Sequence, residues 1–151
     1  MIKIICLGKL KEKYLIDAKD EYLKRIGKYT KIEIIELNDS KIDDEKLSLK
    51  EEANSILKVL NDKDYVITLE IEGKEMDSVS FANLIDKTFI VSPNITFIIG
   101  GSCGLDDEIK KRSNMKLSFS KLTFPHQLFR IMLLEQIYRS YKINNNERYH
   151  K

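Results

Sequence analysis

The sequence predicts an α/β fold in which a five- to six-stranded, mostly parallel sheet carries helices on both faces. Short apolar runs rich in Ile, Val and Leu recur along the chain, which is typical of strands buried on both faces. Between them lie segments with apolar residues at steps of three and four, which is typical of amphipathic helices. The 151 residues contain no linker, repeat or low-complexity segment, so we expect residues 1–151 to form a single domain.

The first half of the chain alternates strand and helix twice. Residues 2–8 form an apolar run closed by a glycine, which predicts a buried strand. Residues 11–28 predict a helix and residues 31–37 a second strand. Asp43 or Asp44 can cap a second helix that reaches about residue 60. The residues predicted to face inward are Tyr14, Leu15, Ala18, Tyr22, Leu23 and Ile26 in the first helix, and Leu47, Ala53, Ile56, Leu57 and Leu60 in the second.

The second half continues the alternation. Residues 65–71 predict a third strand, followed by a helix that begins at Asp77 or Ser78 and buries Val79, Ala82, Leu84 and Ile85. Residues 95–99 predict a fourth strand, residues 106–112 a short helix and residues 115–120 a fifth strand. Pro125 suits the first turn of a long helix that runs to about residue 143.

Composition excludes several classes of protein. With 42% hydrophobic and 33% charged residues and only 2 Pro and 6 Gly, the chain is neither collagen-like nor disordered. Its apolar runs are too short for a membrane span and its start is unlike a signal peptide, so we expect a cytoplasmic protein with no membrane partner. Its 2 cysteines provide neither a disulfide framework nor a zinc site, and we expect no metal.

The charge is distributed unevenly. The whole chain carries a net charge of +2, but residues 110–151 carry +8 and residues 1–109 carry −6. A block of one sign is typical of a surface that contacts a polyanion such as RNA. A solvated, Lys- and Arg-rich helix face would produce the same pattern.

Three loops are candidates for a ligand site, because ligands of parallel sheets bind beyond the carboxyl ends of the strands. They are residues 70–75, 100–105 and 119–125. The glycines of the second loop let a ligand approach the backbone, although a glycine-rich turn without a ligand has the same composition. This loop lacks the spacing of phosphate-binding loops, and Asp106 and Asp107 would repel a phosphate at the following helix. A neutral or cationic ligand such as S-adenosylmethionine (SAM) fits better than ATP or NAD.

Several long stretches resemble one enzyme family. Residues 6–14 read Cys-Leu-Gly-Lys-Leu-Lys-Glu-Lys-Tyr, residues 66–74 read Val-Ile-Thr-Leu-Glu-Ile-Glu-Gly-Lys, and residues 98–105 read Ile-Ile-Gly-Gly-Ser-Cys-Gly-Leu. Residues 117–127 read Leu-Ser-Phe-Ser-Lys-Leu-Thr-Phe-Pro-His-Gln, residues 134–139 read Leu-Glu-Gln-Ile-Tyr-Arg, and the chain ends in Tyr-His-Lys. In this order they resemble the large-subunit ribosomal RNA pseudouridine N3-methyltransferases, a family of the SPOUT class of SAM-dependent enzymes.

The resemblance implies a fold, a cofactor and partners. The last third of the chain is expected to pass through a loop and form a trefoil knot, although folds generally avoid knots. The family is a homodimer that acts on the 23S rRNA of assembled ribosomes. The implied contacts with SAM are Leu69, Gly100, Phe119, Ser120, Lys121, Leu122, Thr123 and Phe124.

Methylation of N3 requires that its proton leave, because the neutral imide nitrogen is a poor nucleophile. His126 either accepts this proton, orients the base or only bonds the backbone at a helix start. His150 either takes part in catalysis or belongs to a frayed terminus. Glu135, among apolar residues, is expected to pair with a nearby arginine.

The basic last third supplies the candidate RNA contacts, which are Arg130, Arg139, Arg148 and Lys151. Lys121 is a further candidate for a phosphate contact. Two alternatives to the rRNA methyltransferase remain open at this point. One is a non-catalytic factor that binds RNA or the ribosome, and the other is a SPOUT methyltransferase that acts on tRNA.

Overall fold

The computed structural model describes residues 1–151 as five strands and five helices, so the sheet has the smaller of the two predicted strand numbers. None of the five helices combines the length and hydropathy that a membrane span requires. In chain order the elements are β1 (Ile2–Leu7), α1 (Lys13–Ile26), β2 (Ile32–Leu37), α2 (Glu45–Val59), β3 (Asp64–Glu75), α3 (Ser78–Val91), β4 (Asn94–Ile99), α4 (Asp107–Arg112), β5 (Met115–Ser118) and α5 (His126–Asn144).

All strand pairs are parallel, and the strand order is β2-β1-β4-β3-β5. The connections through α1 and α3 step in one direction along the sheet, whereas those through α2 and α4 step in the other. Since crossovers between parallel strands are right-handed, the two directions place these helices on opposite faces. The predicted three-layer α/β architecture is confirmed.

The core forms as two apolar clusters, one on each face of the sheet. The larger cluster lies under α1, α3 and α5 and includes Ile4 and Phe97. The smaller one lies under α2 and α4 and includes Ile5 and Ile98. Because neighbouring side chains of a strand point to opposite faces, each apolar strand supplies both clusters.

Three residues predicted to face inward are exposed instead, and each lies in the first turn of its helix. Tyr14 in α1 is 68% exposed, Leu47 in α2 is 59% exposed, and Val79 in α3 is 52% exposed. In each of these first turns another residue is buried instead, namely Leu15, Ser48 or Phe81. The helical periodicity therefore identifies the helices, but in the first turn it assigns the wrong residue to the inner face.

β3 pairs with β5 at two places, one on each side of a register shift in β3. Residues 67–69 pair with residues 115–117, and after a register shift Lys74 and Glu75 pair with Leu117 and Ser118. The residues between pass so close that a Cβ added at Gly73 would lie 2.6 Å from the carbonyl carbon of Leu117. Only glycine fits at this close approach of the two backbones, which we call the crossing of β3 and β5.

The crossing predicts that Gly73→Ala destabilises the protein, because the added carbon meets backbone atoms that cannot move aside independently. We expect a loss of about 2–3 kcal/mol in the free energy of unfolding, measured by urea denaturation. Gly101→Ala is the matched control, since its Cβ would make only an ordinary contact of 3.4 Å with Leu7. Equal stability of the two variants would show that the crossing is not tightly packed.

Candidate functional site

A cavity of about 530 Å³ opens at the carboxyl ends of β3, β4 and β5. The three segments predicted as loops meet there, but only the second and third are loops. The first, residues 70–75, continues strand β3, which the sequence predicted to end at residue 71. Seven of the eight residues named as cofactor contacts line the cavity, namely Leu69, Gly100, Phe119, Ser120, Leu122, Thr123 and Phe124. The eighth, Lys121, is exposed and does not line it. His126 also lines the cavity.

An aromatic cluster forms one wall of the cavity. The ring of Phe119 packs edge-on against Phe129 with centroids 4.9 Å apart, and Phe124 stacks on Phe129 at 6.1 Å. Phe129 was not among the sequence candidates. Its position three residues after His126 on α5 was the available signal, because residues at that spacing share a helix face. The cluster provides a flat apolar surface for a ring-bearing ligand.

The charged groups of the cavity are Glu70, Glu72 and Lys110. The carboxylate of Glu70 is only 7% exposed, accepts a hydrogen bond from Thr68 Oγ1 at 2.7 Å, and lies 3.4 Å from Lys110 Nζ. With two carboxylates against one lysine, the wall favours a cationic over a polyanionic ligand.

The two aspartates predicted to repel phosphate at the start of α4 are not the acidic residues that face the cavity. Asp106 and Asp107 lie outside the cavity lining. Asp106 caps α4, because its carboxylate accepts a hydrogen bond from the backbone N–H of Glu108 at 2.9 Å. The negative charge that faces a ligand therefore comes from Glu70 and Glu72 instead.

Gly100 lacks a side chain because the loop could not otherwise fold, and not because a ligand must approach its backbone. A Cβ at this position would lie 2.7 Å from the carbonyl oxygen of Gly104, so a side chain would prevent the loop from folding back. Gly104, at φ +80°, donates from its backbone N–H to the carbonyl of Gly101 at 3.1 Å. Because Gly100 and Gly104 have no side chains, the loop can form a tight turn, and this turn brings backbone groups to the cavity wall.

A second cavity of about 560 Å³ lies on the other side of the aromatic wall that contains Phe119 and Phe124. The two cavities share Leu117, Ser118, Phe119 and Phe124. The second is also lined by Glu135, Gln136 and His150. The two candidate histidines thus stand in different cavities that adjoin each other.

The last residues of the chain fold back onto α5 and place His150. The hydroxyl of Tyr149 donates to Glu135 Oε1 at 3.0 Å, and the ring packs edge-on against Tyr138. Arg139 lies over the Tyr149 ring, contacts His150 Nδ1 at 3.1 Å and bonds Glu135 through Nε and Nη2. The predicted pairing of Glu135 with an arginine is confirmed, and the terminus is bonded rather than frayed.

The RNA contact predicted for Arg130 is wrong. Its side chain is 1% exposed, forms an ion pair of 2.7 Å with Glu36, and donates to the carbonyl of Gly8 at 3.2 Å. Position 130 lies on the inner face of α5, where a guanidinium requires an internal partner. Of the other candidates, Arg139 is partly exposed and paired with Glu135, whereas Arg148 and Lys151 are exposed.

Tyr149 provides a test of the folded terminus. Burial, together with the hydrogen bond to Glu135, raises the pKa of Tyr149 to about 12. A pKa above that of the unfolded chain means that this contribution to stability is complete below pH 10 and is lost as the pH rises through 12. We expect Tyr149→Phe to lower the free energy of unfolding at pH 8 by about 1 kcal/mol and to remove one high-pH phenolate step from the ultraviolet titration. A tyrosine that titrated near pH 10 at this position would contradict the contact.

Several known proteins are similar to this chain in sequence or in fold. A family model described as predicted SPOUT methyltransferase matches residues 1–150. The ribosomal RNA large subunit methyltransferase H of Clostridium tetani is 53% identical over 99% of both chains, and that of Caldicellulosiruptor saccharolyticus is 48% identical over 100% of both.

Two solved structures share the fold at 14% sequence identity. One is a probable methylase family protein from Haemophilus influenzae, with a TM-score of 0.57 over 99% of this chain and 70% of that one. The other is the tRNA (m1G37) methyltransferase of Aquifex aeolicus, with a TM-score of 0.52 over 91% of this chain and 69% of that one. The trefoil knot is a feature of the SPOUT class, in agreement with the crossing of β3 and β5. From its sequence matches and its fold, the chain belongs to the SPOUT methyltransferase family.

Proposed function

We propose that this protein transfers a methyl group from SAM to N3 of a pseudouridine in the 23S rRNA of assembled ribosomes, in the cytoplasm. The observation that carries the proposal is the cavity at the ends of β3, β4 and β5, whose walls match the residues expected to contact SAM. The names of the full-length relatives support ribosomal RNA of the large subunit as the substrate.

The cavity fits SAM in size and in chemistry. Its volume of about 530 Å³ is in the usual range for sites of small-molecule ligands. The turn at residues 100–104 offers backbone hydrogen-bonding groups, and the aromatic wall suits a flat adenine ring. Glu70 and Glu72 would favour the cationic donor. When bound, SAM supplies a methyl group on a positively charged sulfur, which is a good leaving group.

The second cavity is the proposed position of the target base, because it adjoins the first across Phe119 and Phe124. His150 is suited to donate a hydrogen bond there. Arginine is only a donor, so its contact with His150 Nδ1 makes that nitrogen the acceptor and leaves the proton of the neutral ring on Nε2. His150 would then stabilise a carbonyl oxygen of the base as N3 loses its proton.

His126 is the proposed acceptor of the N3 proton. It lines the first cavity at the start of α5 and does not line the second, so this role requires the base to extend past Phe119 and Phe124 toward His126. The protein itself has two roles in the proposed reaction. The aromatic wall helps to align the methyl donor with the base, and His126 receives the proton of N3.

A homodimer is the proposed assembly. Tyr14 at the start of α1, Leu122 in the cavity loop and Leu128 at the start of α5 are exposed apolar side chains, with Leu122 71% exposed. A second copy would cover such residues. Arg139, Arg148, Lys151 and Lys121 remain the proposed RNA contacts of the carboxyl-terminal third.

Calorimetric titration tests the cofactor. We expect saturable binding of SAM and no comparable heat from ATP, because the carboxylates of the cavity repel a polyphosphate. Tight binding of ATP without binding of SAM would contradict the proposed cofactor and with it the methyl transfer.

Labelling with radioactive methyl-SAM tests the substrate. We expect label in the 23S rRNA of ribosomes from cells that lack the protein, and none in bulk tRNA incubated separately. Mass mapping of the labelled rRNA should locate the methyl group on a pseudouridine. Label in tRNA alone would favour a tRNA methyltransferase, and ribosome binding without label would favour a non-catalytic factor.

A further inference from the structure

In the loop that follows β1, a buried apolar residue lies between two exposed lysines. Residues 8–11 read Gly-Lys-Leu-Lys. Lys9 and Lys11 are exposed, whereas Leu10 between them is buried at 9% exposure in the larger core cluster. This alternation fixes the backbone through the apolar residue and directs the two lysines outward.

Distant parts of the chain hold the backbone of this segment. The carbonyl of Gly8 accepts a hydrogen bond from the buried Arg130 at 3.2 Å, and the N–H of Leu10 donates to Glu36 at 3.0 Å. Glu36 is also the ion-pair partner of Arg130, at 2.7 Å. The ion pair between the buried Arg130 and the partly exposed Glu36 thus orders the loop after β1 against both β2 and α5. A merely connecting loop does not require such support.

The segment lies beside the proposed active site. Since the strands are parallel, the end of β1 is on the same edge of the sheet as the ends of β3, β4 and β5. The backbone N–H of Lys11 donates to Gln127 Oε1 at 3.2 Å, and Gln127 is the neighbour of the cavity residue His126. The segment that carries the two lysines is therefore bonded to the start of α5, which borders the cavity.

The ammonium groups of Lys9 and Lys11 are available for a partner. Neither forms an ion pair within the chain, whereas the nearby Lys13 is paired with Asp17 at 2.7 Å. Two unpaired cations on an ordered backbone match the spaced negative charges of an RNA backbone.

We propose that Lys9 and Lys11 bind phosphates of the substrate RNA, and that Arg130, Glu36 and Gln127 position the segment that carries them. This inference rests on the proposed action on ribosomal RNA. It adds an RNA-contacting surface in the part of the chain whose net charge is negative. It also gives Arg130 a role in RNA binding through the backbone of Gly8 rather than by contact.

The test is a double variant, Lys9→Gln with Lys11→Gln, in steady-state methylation of ribosomes. We expect KM for the ribosome to rise on the order of tenfold, and the slope of log affinity against log salt to decrease by roughly 1.5, since about 0.7–0.9 is expected for each phosphate contact. The dissociation constant of SAM should not change. The matched control is Lys28→Gln with Lys31→Gln, two exposed lysines at the opposite edge of the sheet, which should behave as wild type.

The positioning role has its own readout. Gln127→Ala removes the contact with the N–H of Lys11, and we expect it to raise KM for the ribosome in the wild-type chain. In the chain that already carries Lys9→Gln and Lys11→Gln it should have no further effect, because coupled residues are not additive.

Three results would overturn the inference: a wild-type KM for the lysine variant, an unchanged salt slope, or loss of SAM binding together with RNA binding. An additive effect of Gln127→Ala would overturn the positioning role. Failure of the proposed function itself would look different, because the wild-type protein would then transfer no methyl group to ribosomes.

Discussion

The crossing of β3 over β5 is the contact on which the site depends. At Gly73 the chain passes against the backbone of Leu117 without room for a side chain, and from there it turns back into α3. The crossing holds the second half of β3 beside the end of β5, so that residues 69–72 of β3 and the loops after β4 and β5 enclose one cavity. An open sheet would instead let residues 70–72 run away from β5. The site therefore depends on the close approach at Gly73 as well as on the parallel sheet.

Four of the ten basic residues in residues 110–151 form ion pairs within the chain, one of them Lys110 with Glu70. Arg130 pairs with Glu36, Arg139 with Glu135, and Lys142 with Glu147 at 2.8 Å. These pairs hold α5 and the terminus in place, and the hydrogen bonds from Lys142 and Tyr29 lower the pKa of Glu147. The net charge of a segment therefore measures its possible RNA surface poorly. What matters is which cations lack an internal partner, and the loop after β1 has two of them although its half of the chain is acidic.

The sequence predicted some parts of the site and missed others for identifiable reasons. Composition located the loops after β4 and β5, because glycines and polar residues cluster after buried strands, but it took residues 70–75, which belong to β3, for a third loop. It misjudged Gly100, since the atom nearest to an added Cβ belongs to Gly104 and not to the open cavity. It missed Phe129 because an aromatic residue on a helix looks like any other core residue. It placed Arg130 at the surface because a helix with apolar residues all around gives no clear inner face.

The sequence by itself determined the order of strands and helices, the parallel sheet with helices on both faces, and the loops that could hold a ligand. Those properties follow from apolar runs and from periodicity within about fifteen residues, which are local. Only the tertiary structure decided the crossing at Gly73, the burial of Arg130 and the position of His150 beside the second cavity. Each of these depends on where strands and helices stand relative to one another. Arg130 and its partner Glu36, 94 positions apart in the chain, meet only because α5 packs over the edge of the sheet where β1 and β2 end.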